Sequence, residues 1–129
     1  MTNAPPIITL DTESQRRAGA FLAYTQQGPE HLDGLVHDAL LTGLLSTGTE
    51  PLIREAVLEH DTLTLDGAEV ALQLHPRAEG DPRPRAELRA LGIAAALGIT
   101  SERLPVVYLA AVRVGFRMLT RYTPGASSQ

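Results

Sequence analysis

Cysteine, tryptophan and lysine are absent from this chain of 129 residues. Without cysteine there can be no disulfide, thiolate nucleophile, cysteine-ligated zinc or iron–sulfur cluster. Without lysine there is no P-loop amine, Schiff base or pyridoxal-phosphate anchor. Only five aromatic residues are present, which leaves little surface for stacking on bases or sugars. These absences exclude many cofactor-dependent enzyme classes.

Long apolar runs and catalytic motifs are also scarce. The longest uncharged apolar run, Leu104 to Val112, has nine residues, about half of the roughly 20 that cross a bilayer. Met1 to Leu10 lacks the basic leader and apolar stretch of a signal peptide, so we expect a cytoplasmic location and no membrane partner. Serine-hydrolase, phosphate-loop and zinc-protease motifs are missing. The sequence favours a non-enzymatic protein without metal or cofactor, although distant residues can still assemble an active site.

The charge is divided unevenly between two halves of the chain. Residues 1–76 contain three arginines and eleven acidic residues, a formal charge of −8. Residues 77–129 contain eight arginines and four acidic residues, a formal charge of +4. Such a division can be balanced inside the fold, across a subunit interface, or by an anionic partner bound to the basic half.

Length and a hydrophobic content of 43% predict one compact domain. We expect this domain to span residues 11–122, between a disordered or extended arm at 1–10 and a disordered tail at 123–129. Capping residues and helical periodicity predict five helices. They are expected after Asp11 up to Gly28, from Pro29 to about Leu45, after Thr49 to about His60, from about Arg85 to Leu97, and from about Pro105 to Tyr122.

One segment, residues 62–74, changes from helical to alternating periodicity. Its Asp66-Gly67 pair suits a type I′ turn, which predicts a β-hairpin between Thr62–Leu65 and Ala68–Leu74. One face would then be apolar, formed by Leu63, Leu65, Val70, Leu72 and Leu74. The expected fold is therefore α+β and mainly helical, with four to five helices in the order helix, helix, helix, hairpin, helix, helix.

The two helices after the hairpin complete this expectation. Residues 76–84 contain three prolines and a glycine and predict an exposed loop. In the fourth helix, Leu88, Leu91 and Ala95 are expected to face inward, and Gly98 to form a left-handed C-cap. The C-terminal helix begins with a segment that is apolar all round, which is typical of a central helix or one shared between subunits.

The segment Ile93 to Thr100, Ile-Ala-Ala-Ala-Leu-Gly-Ile-Thr, resembles the first helix and turn of a helix-turn-helix DNA-binding protein. The resemblance covers about twenty residues and implies that the following helix reads DNA. Pro105 would interrupt such a helix at its fifth position. A second possible DNA-binding arrangement is a winged helix made of helix two, helix three and the hairpin. Its recognition helix would be acidic, so the phosphates of DNA would repel it.

Two groups of residues are candidates for contact with a partner. Arg113, Arg117 and Arg121 share one helix face at i, i+4 and i+8, and Arg85 and Arg89 belong to the same basic half. Their guanidinium groups suit phosphate or carboxylate partners, whereas the alternative is a solvated row or pairing with the acids of helices two and three. Self-association as a homodimer is the second expectation, through apolar residues that one small domain can hardly cover. Its candidates are Leu41, Leu45, Val106, Tyr108 and Leu109.

Metal ligation has little support. Asp33 and His37 lie at i, i+4 on the second helix, the separation of two ligands on one face. No third ligand is indicated among the other histidines, so a solvated polar face is the favoured interpretation.

The sequence is compatible with three functions, of which one is favoured. The leading one is a non-enzymatic regulatory or protein-interaction module that associates with itself or with another protein. The alternative is a nucleic-acid-associated regulator that uses the arginine-rich half. The second alternative is a small-molecule-binding protein or enzyme with a pocket between the hairpin and helix two.

Overall fold

A computed structural model describes residues 5–124 and shows a mainly helical α+β fold, as predicted. The described residues form five helices and one antiparallel two-stranded sheet. Short 3-10 turns precede α2, follow α3 and precede α5. The elements in chain order are β1 (Ile7–Thr9), α1 (Thr12–Tyr24), α2 (Leu32–Leu45), α3 (Glu50–Leu58), β2 (Glu69–Ala71), α4 (Arg83–Leu97) and α5 (Leu104–Leu119).

Local chemistry sets the ends of the helices. Asp11 caps α1, because its carboxylate accepts the backbone N–H of Ser14 at 3.4 Å and the Ser14 hydroxyl at 2.6 Å. Gly98 ends α4 in the left-handed conformation with a φ of 71°, as predicted. The helix itself begins at Arg83, inside the predicted loop of residues 76–84. That part of the loop prediction is wrong, because Pro84 falls in the first helical turn, where no backbone N–H is needed.

The C-terminal helix α5 is central, as expected. Every residue from Val107 to Phe116 is buried, and α5 packs against the other four helices and β1. Its crossing with α2 is very close, since a Cβ on Gly43 would overlap the Ala111 carbonyl oxygen and one on Gly115 would overlap the Ala39 carbonyl oxygen. The two glycines therefore allow backbone-to-backbone packing at the centre of the core.

The sheet contains a different strand pair from the predicted hairpin. β2 pairs with β1 in the register Ile7↔Ala71, Ile8↔Val70 and Thr9↔Glu69. Neither Asp66 nor Gly67 has the positive φ that a type I′ turn requires. The N–H of Gly67 instead donates to the Leu10 carbonyl at 2.9 Å. The first half of the predicted hairpin is thus replaced by the N-terminal strand.

The physical reason for this replacement is burial. Ile8 and Leu10 on the N-terminal segment are fully enclosed, and Val70 and Leu72 lie buried on β2 and just after it. Leu65, which the hairpin would have placed on the apolar face, is exposed instead. The N-terminal segment brings two large apolar side chains to the sheet and packs against α5. Residues 1–4 and 125–129 of the predicted arm and tail lie outside the described residues, so the domain boundaries stay a prediction.

Helix α4 buries the face opposite to the predicted one. Its buried residues are Ala86, Ala90, Ile93 and Ala94, which pack against α2, α3 and α5. Leu88, Leu91 and Ala95, predicted to face inward, are exposed. Alanines let α4 approach its neighbours closely, so the small residues occupy the contact and the leucines face outward.

Candidate functional site

Arg113 is enclosed in a network of carboxylates and has no open side for an anionic partner. Its side chain is only 5% exposed, and its Nη1 lies 3.2 Å from a carboxylate oxygen of Asp11. Its Nη2 lies 3.4 Å from Glu59 and 3.6 Å from Glu13. A buried guanidinium requires such partners because an unpaired charge is strongly disfavoured in the core. Within the described residues Arg113 therefore joins α5 to the start of α1 and the end of α3.

Arg117 makes the second ion pair of this network. Its Nη2 and Nε donate to the two carboxylate oxygens of Glu13 at 2.8 and 3.2 Å, a bidentate geometry. Burial raises the pKa of Glu13, but the hydrogen bond from Arg117 and the charges of Arg117, Arg113 and Arg17 outweigh it and hold this pKa below its ordinary value. Both residues are thereby engaged inside the chain.

The predicted arginine row is thus divided. Arg113 and Arg117 pair with acids, although mainly with acids of α1 rather than those of helices two and three. Arg121 is exposed beyond the end of α5, and Arg85 and Arg89 are exposed on α4. The three exposed arginines do not form one continuous row with the buried one. Their role in binding an anion or partner stays a prediction.

The helix-turn-helix resemblance meets a geometric obstacle at α5. This helix would be the one that reads bases, yet it is buried from Val107 to Phe116. A recognition helix needs polar side chains open to the major groove. The winged version also lacks its wing, because residues 62–68 form no strand. Neither motif is therefore formed as predicted in the described part of the chain, and association with nucleic acid stays a prediction.

The residues predicted for self-association are largely occupied within the chain. Tyr108 and Leu109 are buried, and they present no surface to a second copy. Leu41, Leu45 and Val106 are partly exposed; the two leucines pack against the core. The prediction failed for Tyr108 and Leu109 because α1, α3 and α4 supply the cover that a second copy was expected to provide.

The outer face of α4 is an apolar surface with no cover among residues 5–124. Leu88 is 69% exposed and Leu91 is 43% exposed. Gly92 and the exposed Ala95 continue this face at helical spacing, and a Cβ on Gly92 would have no atom within 4 Å. We call the surface formed by Arg85, Leu88, Arg89, Leu91, Gly92, Ala95 and Ala96 the outer α4 face.

Sequence reasoning identified the leucines of this face but assigned them to the core. The signal that distinguishes the two faces is the run of alanines, Ala86, Ala90 and Ala94, at i, i+4 and i+8. A stripe of alanines on a helix with leucines on the opposite side fits close packing inside and an apolar surface outside.

The predicted pocket between the sheet and helix two exists as a cleft of about 390 Å³. His37 crosses it: its Nδ1 lies 2.7 Å from the Asp33 carbonyl oxygen, and its Nε2 lies 2.9 Å from the Gln73 backbone nitrogen. With the hydrogen on Nδ1, the ring donates to Asp33 and accepts from Gln73. Both ring nitrogens are therefore used to tie α2 to the chain after β2. Over residues 5–124 no three acidic or histidine side chains are grouped to hold a metal ion.

Comparisons with protein-family models, with curated proteins and with solved structures find no match. No helix within the described part of the chain is long and apolar enough to cross a membrane.

Proposed function

We propose that this protein is a non-enzymatic protein-interaction module that self-associates through the outer α4 face. The observation that carries the proposal is the exposure of Leu88 and Leu91 on a helix whose inner face is built from alanine. Leaving leucine surface in water is unfavourable by about 25 cal/mol per Å². Covering it with a second copy recovers that free energy.

Side-chain sizes on this face suit an antiparallel pair of α4 helices. If the two-fold axis passes between Leu91 and Gly92, Leu88 of one copy lies opposite Ala95 of the other. Leu91 then lies opposite Gly92. Large side chains meet small ones at each level, which is how packed helices interdigitate. An isologous interface of this kind closes as a dimer and leaves no unused copy of the face.

The charges on α4 also favour this arrangement. The helix has no acid in its first turn and no basic residue in its last turn, while Arg83 and Arg85 lie near its N-terminus. These cations are unfavourably placed for their own helix dipole. In the antiparallel pair, Arg85 lies opposite Gly98, at the negative end of the second helix. Each such contact is worth about 0.3–1 kcal/mol.

The size of the surface sets the expected affinity. A helix of 15 residues is about 22 Å long. A single helix pair of that length falls below the roughly 1,200 Å² of typical stable interfaces. We therefore expect reversible dimerisation, with a dissociation constant in the micromolar range rather than the nanomolar range.

Sedimentation equilibrium over a concentration series tests the proposal directly. Wild-type protein should pass from monomer to dimer, and Leu88→Glu should weaken dimerisation by about tenfold or more, the equivalent of 1.4 kcal/mol. The substitution brings two carboxylates to the interface without touching the core. Leu52→Glu is the matched control, because Leu52 is 50% exposed on α3, outside the outer α4 face.

Circular dichroism of both variants establishes that they are folded. A wild-type protein that stays monomeric at the highest concentration overturns the proposal. A dimer that Leu88→Glu and Leu52→Glu weaken equally, or that neither weakens, assigns the interface to another surface and also overturns it.

A further inference from the structure

A second cavity, separate from the outer α4 face, lies between the chain after β2, α4 and the start of α5. Its volume is about 750 Å³, within the roughly 300–1,000 Å³ of small-molecule pockets. Leu72, Leu74 and Leu104 form apolar walls. A cavity of this size accommodates an organic molecule rather than an ion.

Tyr108 lies at the base of this cavity. The residue is only 1% exposed, and it belongs to the lining of the cavity. Burial, and secondly the charge of Glu87, raise the pKa of Tyr108 to about 12, so the hydroxyl keeps its proton at neutral pH. A neutral tyrosine hydroxyl can both donate and accept a hydrogen bond, so it offers a ligand one polar contact.

Glu87 is the acidic side chain of the same cavity. It lies on α4, and its carboxylate carries the charge opposite to that of an ammonium group. Among the described residues that line the cavity, none is an arginine and Glu87 is the one carboxylate, while Gln73, His75 and Ser101 complete the polar part of the lining. The cavity therefore combines leucine walls with one carboxylate and several other polar groups.

We propose that this cavity binds a small organic amine in its protonated form. The ammonium group donates hydrogen bonds to the Glu87 carboxylate and the Tyr108 hydroxyl, and the apolar part of the ligand packs against Leu72, Leu74 and Leu104. A carboxylate or phosphate ligand would be repelled by Glu87, and a purely apolar one would form no hydrogen bond with this carboxylate. This inference goes beyond the proposed self-association and does not depend on it.

Three probes that share a phenylethyl group test the charge requirement. 2-Phenylethylammonium, 2-phenylethanol and 3-phenylpropionate share an apolar body and differ at the polar end. Only a ligand bound by the folded state raises the melting temperature. Thermal shift and calorimetric titration should show binding of the amine, weaker binding of the alcohol and none of the carboxylate.

Two variants locate the binding. Glu87→Gln should weaken binding of 2-phenylethylammonium by about tenfold or more, since it removes a charge-assisted hydrogen bond. Glu55→Gln, on the exposed side of α3, should not change it. Tyr108→Phe should also weaken binding, because it removes a hydroxyl that accepts from the ammonium group and keeps the ring. A role for this hydroxyl in folding alone predicts a lower melting temperature with unchanged amine binding instead.

Equal binding of the three probes, no binding of any, or unchanged amine binding in Glu87→Gln overturns the inference. Unchanged amine binding in Tyr108→Phe also overturns it. Leu88→Glu, which lies outside the cavity, separates the two proposals. It should weaken dimerisation by the same factor as above and leave amine binding intact.

Discussion

Helices α4 and α5 both belong to the basic half of the chain, both carry arginines and apolar side chains, and they have opposite surroundings. In α5, Arg113 is buried among three carboxylates, and the residues around it are enclosed from Val107 to Phe116. In α4, Arg85 and Arg89 are exposed beside exposed leucines. Similar residue types therefore serve the core in one helix and the surface in the other.

This difference shows that the neighbours of a helix decide whether its side chains lie in the core or on the surface. α5 is covered by the other four helices and β1, so its cations must find acids within the chain. α4 has neighbours on its alanine face only. Within the described part of the chain its Leu88 and Leu91 and its Arg85 and Arg89 face solvent, which is why the proposed interface lies on α4 and not on α5.

The largest expected contrast is between arginines of the two helices. Arg113→Met leaves Asp11 as a buried carboxylate without its cation, and we expect a loss of about 3–5 kcal/mol in the free energy of unfolding. Arg89→Met removes an exposed side chain and should change stability by less than about 0.5 kcal/mol. Urea unfolding at low protein concentration measures both. Similar losses in the two variants would contradict the assignment of Arg113 to the core.

Glycines provide a second, smaller contrast. Gly115→Ala brings a Cβ onto the Ala39 carbonyl, so α2 and α5 must move apart at a cost of about 1–3 kcal/mol. Gly92→Ala adds a methyl group in open space on α4 and should stabilise the monomer by up to about 1 kcal/mol through helix propensity. Thermal unfolding of the dilute proteins shows whether each substitution raises or lowers the stability. A stabilising Gly115→Ala would show that the helices are not in close contact.

The smallest expected effect is the pH dependence of the Glu13–Arg117 pair. Because the pKa of Glu13 is lowered in the folded protein, its contribution is complete above the ordinary value of 4.5 and is lost as the pH falls through the lowered pKa. Arg117 is nearly half-exposed, so solvent screening keeps this contribution below about 1 kcal/mol.

Glu13→Gln tests this dependence. Its urea midpoint should fall less than that of the wild type between pH 6 and pH 3. An identical acid dependence of the two proteins would assign the loss of stability to other carboxylates.

Much of the fold could be predicted because its signals are local. Asp11 and Gly98 marked helix ends through capping chemistry, and the apolar run at the start of α5 indicated a central helix. The strand partner of β2 could not be predicted in this way. Alternation in residues 62–74 predicts a strand, but it does not specify whether Thr62–Leu65 or Ile7–Thr9 pairs with it.

The candidate surfaces were predicted less completely than the fold. Arg85 and Arg89 are exposed on the outer α4 face, as their proposed partner role requires, but the leucines beside them were assigned to the core. Tyr108 was assigned to a subunit interface and instead lines a cavity of its own chain. In each case the residue type was informative, and the error concerned which neighbour covers it.

The α+β class and the number and approximate ends of the helices could be predicted from the sequence alone. The absence of cysteine and lysine chemistry and the unequal charges of the two halves are read from it directly. The tertiary structure alone decided that Ile7–Thr9 pairs with β2, that alanines hold α4 in place while its leucines face outward, and that Arg113 is surrounded by acids. The reason is physical. Caps, turns and periodicity act between residues a few positions apart, whereas burial and ion pairing depend on segments that meet only when the chain has folded.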